Sequence, residues 1–272
     1  MKTNYITIKV GTLYDLTNRL LDCCSETELR CFSSNAYVAS TLFTNNIIGN
    51  GVGTVTIKAV KNGTILAKYR ITVKPNKEEK TPIKVYPVLV NRWNRVPNGF
   101  VPEDLVFLSK GIWHPFKEIA ICKQVIDPIN AMISKAKEDG VALSVTHGYR
   151  SIQDQRQLLK EAIKEKGSEQ AMKYGAPPYY SEHHTGLALD VTGGFDEKGN
   201  RITPPREAHE WMAENCYRFG FMIKNLRGKE HITGTAFEPW HIRYIGDLAA
   251  AEIIHSEKLT LDEYIMRGLT NE

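Results

Sequence analysis

The chain contains eight histidines, and two short stretches set a histidine beside a carboxylate at spacings that chemistry can use. The first is Ser181-Glu-His-His-Thr-Gly-Leu-Ala-Leu-Asp190. His183 and Asp190 are seven residues apart, an odd separation that would put them on opposite faces of one straight strand. Thr185-Gly186 lets the backbone turn between them. Leu187–Asp190 then reads as a strand on which Ala188 and Asp190 share a face, so His183 and Asp190 can converge. The second stretch is Glu238-Pro-Trp-His241, followed by Ile-Arg-Tyr-Ile. Pro239 forbids an ordinary helix interior there, and His241 is expected to begin a strand with alternating Ile242 and Tyr244. Together the stretches offer two imidazoles and one carboxylate. Zn²⁺ in catalytic sites takes three protein ligands of this kind and leaves a fourth position to water. The ion drops the pKa of that water to about 7. Glu238, three residues from a ligand, is near the metal without binding it and can take the proton as the water attacks.

A third stretch, Gly148-Tyr-Arg-Ser151, stands at a predicted strand-to-helix junction. A helix N-terminus favours negative charge, and Arg150 there can hydrogen-bond a developing oxyanion or a substrate carboxylate.

The elements that must position these residues are legible in part. Asp127-Pro128 reads as an N-cap with proline at the first helical position, and Gly140 as that helix's stop. Ile129, Met132, Ile133 and Ala136 mark its apolar face. Val141–Val145 is a candidate buried strand. Ser151, with Asp154 three residues on, caps the next helix, for which Leu158, Leu159, Ala162 and Ile163 are the expected buried stripe and Gly167 the stop. Arg206–Phe219 reads as a third helix ended by Gly220, and Thr260-Leu-Asp-Glu263 as a capping box for a short C-terminal helix. The first 75 residues have a different texture. Short β-rich runs recur between polar turns; Val55, Ile57 and Ala59 alternate with Thr54, Thr56 and Lys58, the period of a half-buried strand. Asn62-Gly63 is a hairpin signal. Several such strands suggest a small β-sandwich. Pro75–Pro82, charged and proline-flanked, reads as a linker.

Composition bounds the partners. Lys+Arg 35 against Asp+Glu 31 leaves +4 on 272 residues, too weak and too spread for a dedicated nucleic-acid binder. No apolar run approaches the ~18 residues that span a bilayer. The N-terminal MKTNYITIKVG lacks the charged, apolar and small-residue pattern of a signal peptide, so three alternatives are expected: the protein stays inside, it is released by another route, phage-type among them, or a leader has been trimmed. The five cysteines, Cys23, Cys24, Cys31, Cys122 and Cys216, are an odd count without a zinc-knuckle spacing. They are expected to be chiefly buried or incidental thiols, with a bridge from Cys23 or Cys24 to Cys31 as the alternative.

Two resemblances follow from these residues. "SSNAYVASTLFTNNIIGNGVGTVTIKAV" resembles the bacterial Ig-like domain of group 2, with Phe32 where the family usually has tryptophan. "GYRS", "SEHxTGLAxD" and "EPWHxRYxG" occur in order, with "LVNRWNRVPNGFVPEDLV" upstream. They resemble the VanY-type D-alanyl-D-alanine carboxypeptidases, in a wider zinc peptidase group with lysostaphin and the hedgehog signalling domain. The resemblance implies that His183, Asp190 and His241 bind one Zn²⁺ per chain. It makes Glu238 the general base and later the proton donor, and Arg150 the group that polarises the scissile carbonyl. Ser181 and Gln155 are implied to contact the substrate's terminal residue or its carboxylate, while Trp240 and Tyr149 shape the pocket. The family commonly has glutamine at the position of His184, which is therefore read as a rim residue. His147 stands where serine is usual, and either lines the pocket or fills space. Lys224-Asn225 replaces an Arg-Tyr pair frequent in the family, which leaves open how the substrate carboxylate is held. His114, His209, His231 and His255 are read as structural or surface histidines.

The expected protein thus has an Ig-like all-β sandwich at 1–74, a linker at 75–82 and an α+β zinc peptidase domain at 83–272 with an antiparallel sheet under the cleft. It is taken as a monomer. The expected activity is removal of the terminal D-Ala from peptidoglycan stem peptides at the cell wall, outside the cytoplasm. L,D-carboxypeptidase action, a peptidoglycan endopeptidase or phage lysin, and a non-catalytic wall-binding protein are the alternatives.

Overall fold

The computed structural model describes residues 3–20, 29–43, 45–76, 87–108, 118–196 and 198–270. The chain divides into two compact units: Met1–Gly99 with Asp262–Glu272, and Phe100–Leu261. In the first, strands β1 (Thr3–Lys9), β2 (Leu13–Asp15), β3 (Leu29–Ser33), β4 (Ala39–Leu42), β5 (Asn46–Gly49), β6 (Gly53–Lys61) and β7 (Thr64–Lys74) follow in order, with one helical turn α1 at Thr17–Leu20. They form two sheets, β1-β7-β6-β3 and β2-β5-β4. The sheets share a core that includes Ile6, Ile47, Val55, Ile57 and Ile71, so this unit is a β-sandwich. The expected alternation on β6 holds, with Val55, Ile57 and Ala59 buried and Thr54 and Lys58 exposed. Asn62 and Gly63 both take left-handed φ, 47° and 76°. That primed turn matches the twist of the strands it joins.

Residues 77–82 of the expected linker lie outside the described residues, and the unit boundaries differ from the expected ones. Leu89, Val90 and Val96 are fully buried. The Asn94 amide is paired with the backbone of Thr41, accepting from its N–H at 2.6 Å and donating to its carbonyl at 2.9 Å. Asn91 donates to Asp262 at 3.3 Å. Residues 87–99 and the chain from Asp262 onward therefore group with the sandwich. Proline and charge mark a linker's texture; they do not say on which side the following segment docks. Cys31 is a buried free thiol; its considered partners Cys23 and Cys24 lie outside the described residues, as does His114.

The second unit begins with a two-stranded pair, β8 (Leu105–Phe107) and β9 (Ala120–Cys122). Then come α2 (Ile126–Glu138), β10 (Leu143–His147), α3 (Ile152–Lys166), α4 (Ser168–Tyr174), β11 (Ala188–Gly193), α5 (Pro205–Asn215), β12 (Phe221–Asn225), α6 (Glu230–Thr233), β13 (Glu238–Tyr244) and α7 (Leu248–Ser256). Helix α8 (Leu261–Thr270) ends the chain. The sheet order is β10-β11-β13-β12, and every pairing in it is antiparallel. Ile129, Met132 and Ala136 of α2 and Ala208, Trp211 and Met212 of α5 pack with Val145, Leu189, Val191 and Ile242 of the sheet. Because strand residues alternate between faces, Asp190 on β11 and His241 and Arg243 on β13 are left for the opposite face.

Several local expectations shift. Helix α2 starts at Ile126, behind a 3-10 turn at Lys123–Val125, so Asp127 lies in its first turn instead of capping it. The strand expected at 141–145 occupies Leu143–His147. Ser151 and Asp154 do form the capping box of α3, and Gly167 ends it. Its stripe is misread, however: Leu158 and Ile163 are exposed, and Gln155 is the buried residue. The third helix gives way at Cys216 to a 3-10 turn that Gly220 closes.

Candidate metal centre and active site

His183 sits in a 3-10 turn, Glu182–Thr185, closed by Gly186 at φ 67°. A side chain at Gly186 would meet the Cys122 sulfur at 2.8 Å, so both the turn and the close approach of β9 require glycine. Asp190 pairs directly with His241 across β11 and β13. One nitrogen of each histidine and one oxygen of Asp190 all lie within 4.8 Å of one another. His183 Nε2 is 3.4 Å and His241 Nδ1 is 3.2 Å from Asp190 Oδ1. The sequence-predicted trio is therefore brought together.

The other nitrogen of each ring is engaged. His183 Nδ1 lies 2.7 Å from the carbonyl of Gly148. A carbonyl only accepts, so Nδ1 carries the proton and Nε2 keeps its lone pair. Gly148 also has a steric reason: a Cβ there would sit 2.5 Å from the Ala120 carbonyl. His241 Nε2 lies 3.3 Å from Glu182 Oε2, and Glu182 Oε1 accepts from Arg243 Nη1 at 2.7 Å. Burial disfavours the Glu182 carboxylate, but Lys224, Arg243 and His241 outweigh it and bring its pKa down to about 2. Burial also opposes a charged His241, yet its hydrogen bonds to Asp190 and Glu182 raise it to about 10. His183 is held below its ordinary value by burial. Partial burial disfavours the Asp190 carboxylate too, but the two imidazoles hold it well below the usual carboxylate range.

Glu238 is buried, and one of its oxygens accepts from Asn225 Nδ2 at 2.6 Å. Three residues from His241, it would face away from it on a regular strand. The strand begins at Glu238, earlier than expected, and is irregular. Ile223 faces Ile242 but Asn225 faces Glu238, so four steps on β13 lie against two on β12. Pro239, which has no N–H to give the ladder, sits in this bulge. The charge of Glu238 is felt by both His241 and Arg150, which places the carboxylate beside the cluster.

Arg150 precedes the Ser151 cap of α3. Burial lowers the pKa of its guanidinium, while Asp190, Asp154 and Glu238 raise it. Its Nη1 donates to Gln155 Oε1 at 2.8 Å, and Gln155 Nε2 donates to the Ala176 carbonyl at 2.7 Å. Gln155, expected at the substrate, is 1% exposed; its amide is engaged at both ends and holds Arg150. Ser181 is buried immediately before the His183 turn.

His184 stands outside that trio, and it does not take the rim position expected of it. It is buried, with Nδ1 2.7 Å from the Arg150 carbonyl and Nε2 accepting from the Tyr179 N–H at 3.1 Å. Burial pulls its pKa to about 4. His147 faces Asp190 across the β10–β11 pairing, its Nδ1 3.4 Å from Asp190 Oδ2. Glu182 and Arg243 were missed, as was the contact of Asn225 with Glu238. The alternation that puts Arg243 two residues from His241 on one strand face was the available signal; nothing local marks the reach of Glu182.

Two imidazoles and a carboxylate converging on a sheet face, with a separate buried glutamate and a guanidinium beside them, make up the residue set of a metallohydrolase. A family model described as "VanY: D-alanyl-D-alanine carboxypeptidase" matches residues 118–247. A D-alanyl-D-alanine carboxypeptidase of Enterococcus faecalis is 35% identical over 188 residues, covering 65% of each chain. Among solved structures, a zinc-bound vancomycin-resistance D,D-pentapeptidase VanY matches at 33% identity and a TM-score of 0.57, over 65% of this chain and 97% of its own. The LD-carboxypeptidase LdcB matches at 33% identity and a TM-score of 0.55, over 65% of this chain and 84% of its own. The chain belongs to the VanY family of D-alanyl-D-alanine carboxypeptidases. It spans about 65% of the length of the curated relatives it matches. Among the described residues no helix is long and apolar enough to cross a membrane.

Proposed function

We propose that the protein is a zinc-dependent carboxypeptidase that removes the terminal D-alanine from peptidoglycan stem peptides, acting on the wall outside the cytoplasm. The observation that carries the proposal is the convergence of His183, Asp190 and His241 within 4.8 Å. The donor set fits the ion: two imidazole nitrogens and a carboxylate oxygen, with no thiolate, are the ligands of catalytic zinc. His183 Nε2, His241 Nδ1 and Asp190 would hold it, one ion per chain. Bound there, Zn²⁺ supplies Lewis acidity toward the scissile carbonyl and lowers the pKa of a water to about 7.

Glu238 receives the proton of the attacking water on its carboxylate and delivers it to the departing amine nitrogen. Asn225 steadies that carboxylate by donating to one oxygen. Arg150 donates to the substrate carbonyl oxygen as negative charge develops on it. Gln155 holds Arg150 in place. Ser181 lies at the mouth of the same turn and contacts the terminal residue of the peptide. The N-terminal sandwich is read as a bacterial Ig-like module.

Mass spectrometry of muropeptides after digestion tests the reading. Loss of one alanine from pentapeptide stems supports it. Loss of alanine from tetrapeptides alone would make this an L,D-carboxypeptidase, the activity named for LdcB, which matches equally well in sequence. A cut inside the stem or bridge would overturn the carboxypeptidase assignment.

A further inference from the structure

Glu182 links the two segments that carry the histidines. It precedes His183 in the chain, and its side chain reaches across to β13, meeting His241 Nε2 at 3.3 Å and Arg243 Nη1 at 2.7 Å. Glu182 and Arg243 are 6% and 1% exposed, and Lys224, whose charge also acts on Glu182, is 3% exposed. A carboxylate has no proton to offer here, so it can only accept from the imidazole. That pins a proton on Nε2 and turns Nδ1 toward Asp190 at 3.2 Å, leaving Nδ1 as the nitrogen that can give up its proton to a metal.

We infer that Glu182, itself aligned by Arg243, is a positioning residue that sets the tautomer and ring orientation of His241 for metal binding. The inference rests on the zinc reading above. Its arrangement is a carboxylate–histidine–metal relay, in which the outer carboxylate raises ligand basicity and locks the ring. The competing role is structural: a buried ion pair in which Glu182 merely neutralises Arg243.

Replacing both partners by apolar groups of similar size separates the two roles. Such a replacement commonly leaves stability unchanged or raised, whereas removing one partner strands a buried charge. The experiment measures zinc affinity by competition with a chromophoric chelator in the unmodified protein, in Glu182→Gln and in the double variant Glu182→Leu/Arg243→Met. Thermal unfolding of the metal-free forms is followed in parallel. The expected result is one tightly bound zinc in the unmodified protein and an affinity about 10- to 100-fold weaker in the double variant at a comparable melting temperature. Affinity restored to the unmodified level in the double variant would overturn the inference and leave Glu182 a salt-bridge partner only.

Should the double variant not fold, ¹⁵N correlation spectra of the imidazoles in the unmodified, zinc-loaded protein decide the matter. A slowly exchanging proton on His241 Nε2 with the metal on Nδ1 is expected; the opposite tautomer refutes the role. A protein that binds no zinc at all would instead remove the reading on which this inference stands, and is distinguished by the unmodified sample.

Discussion

Gln155 offers a sharp prediction, because its two candidate roles give different numbers. The resemblance implies contact with the substrate; the geometry makes it a support for Arg150, whose guanidinium it accepts from at 2.8 Å while donating to Ala176 at 2.7 Å. Removing one oxyanion donor costs about 2.7–4 kcal/mol, or 10²–10³ in kcat, and Arg150→Ala should fall in that range. A hydrogen bond to a charged group contributes about 1.5–3 kcal/mol. Gln155→Met, which keeps volume and removes both bonds, should therefore lower kcat by roughly 10- to 150-fold with KM little changed. If Gln155 acts through Arg150, the double variant should be no slower than Arg150→Ala alone, since groups acting as one unit are not additive. The assay is steady-state release of D-alanine from a peptide ending in D-Ala-D-Ala, with the four proteins compared as a cycle. Multiplying effects, or a Gln155→Met defect confined to KM, would refute the support role and restore direct substrate contact.

Other outcomes follow from the same geometry. Glu238→Ala should lose turnover by several orders of magnitude while still binding zinc, as metal analysis alongside the activity assay would reveal; full activity would remove the assignment of the base. His183→Ala should lose the metal and His184→Ala should keep it, because both nitrogens of His184 are engaged by backbone groups; loss of those bonds should cost about 1–3 kcal/mol in denaturant unfolding. Zinc binding should release a proton near pH 7. His241 is raised to about 10 in the metal-free protein and must shed its Nδ1 proton to ligate, so affinity should rise by about tenfold per pH unit from 7 toward 9. Calorimetry in buffers of different ionisation enthalpy measures this, and a pH-independent affinity would contradict it. Burial pushes the thiols of Cys31, Cys122 and Cys216 up to about 12. Native alkylation at pH 8 followed by peptide mapping should leave these three unlabelled.

The convergence of His183, Asp190 and His241 was legible because its cause is local: a turn at Thr185-Gly186 and two short strands allow it. So was the hairpin at Asn62-Gly63, where backbone conformation dictates residue type. Residues whose partners are distant in sequence were not legible. Glu182 meets Arg243 sixty-one residues away and Asn94 meets Thr41 fifty-three away, and no periodicity announces either. The apolar pattern misled on α3, where Leu158 is 42% exposed and polar Gln155 is the inward residue. A helix flanking a polar site can turn its polar side inward, which reverses the usual rule that the apolar stripe is the buried one.

The proposed activity requires His183, Asp190 and His241 to share one zinc ion. The zinc-edge X-ray absorption spectrum of the protein loaded with one equivalent of zinc tests it most directly. Two imidazole nitrogens at about 2.0–2.1 Å, oxygen neighbours at about 2.0–2.2 Å and no sulfur are expected. A third imidazole, or sulfur scattering near 2.3 Å, would contradict it.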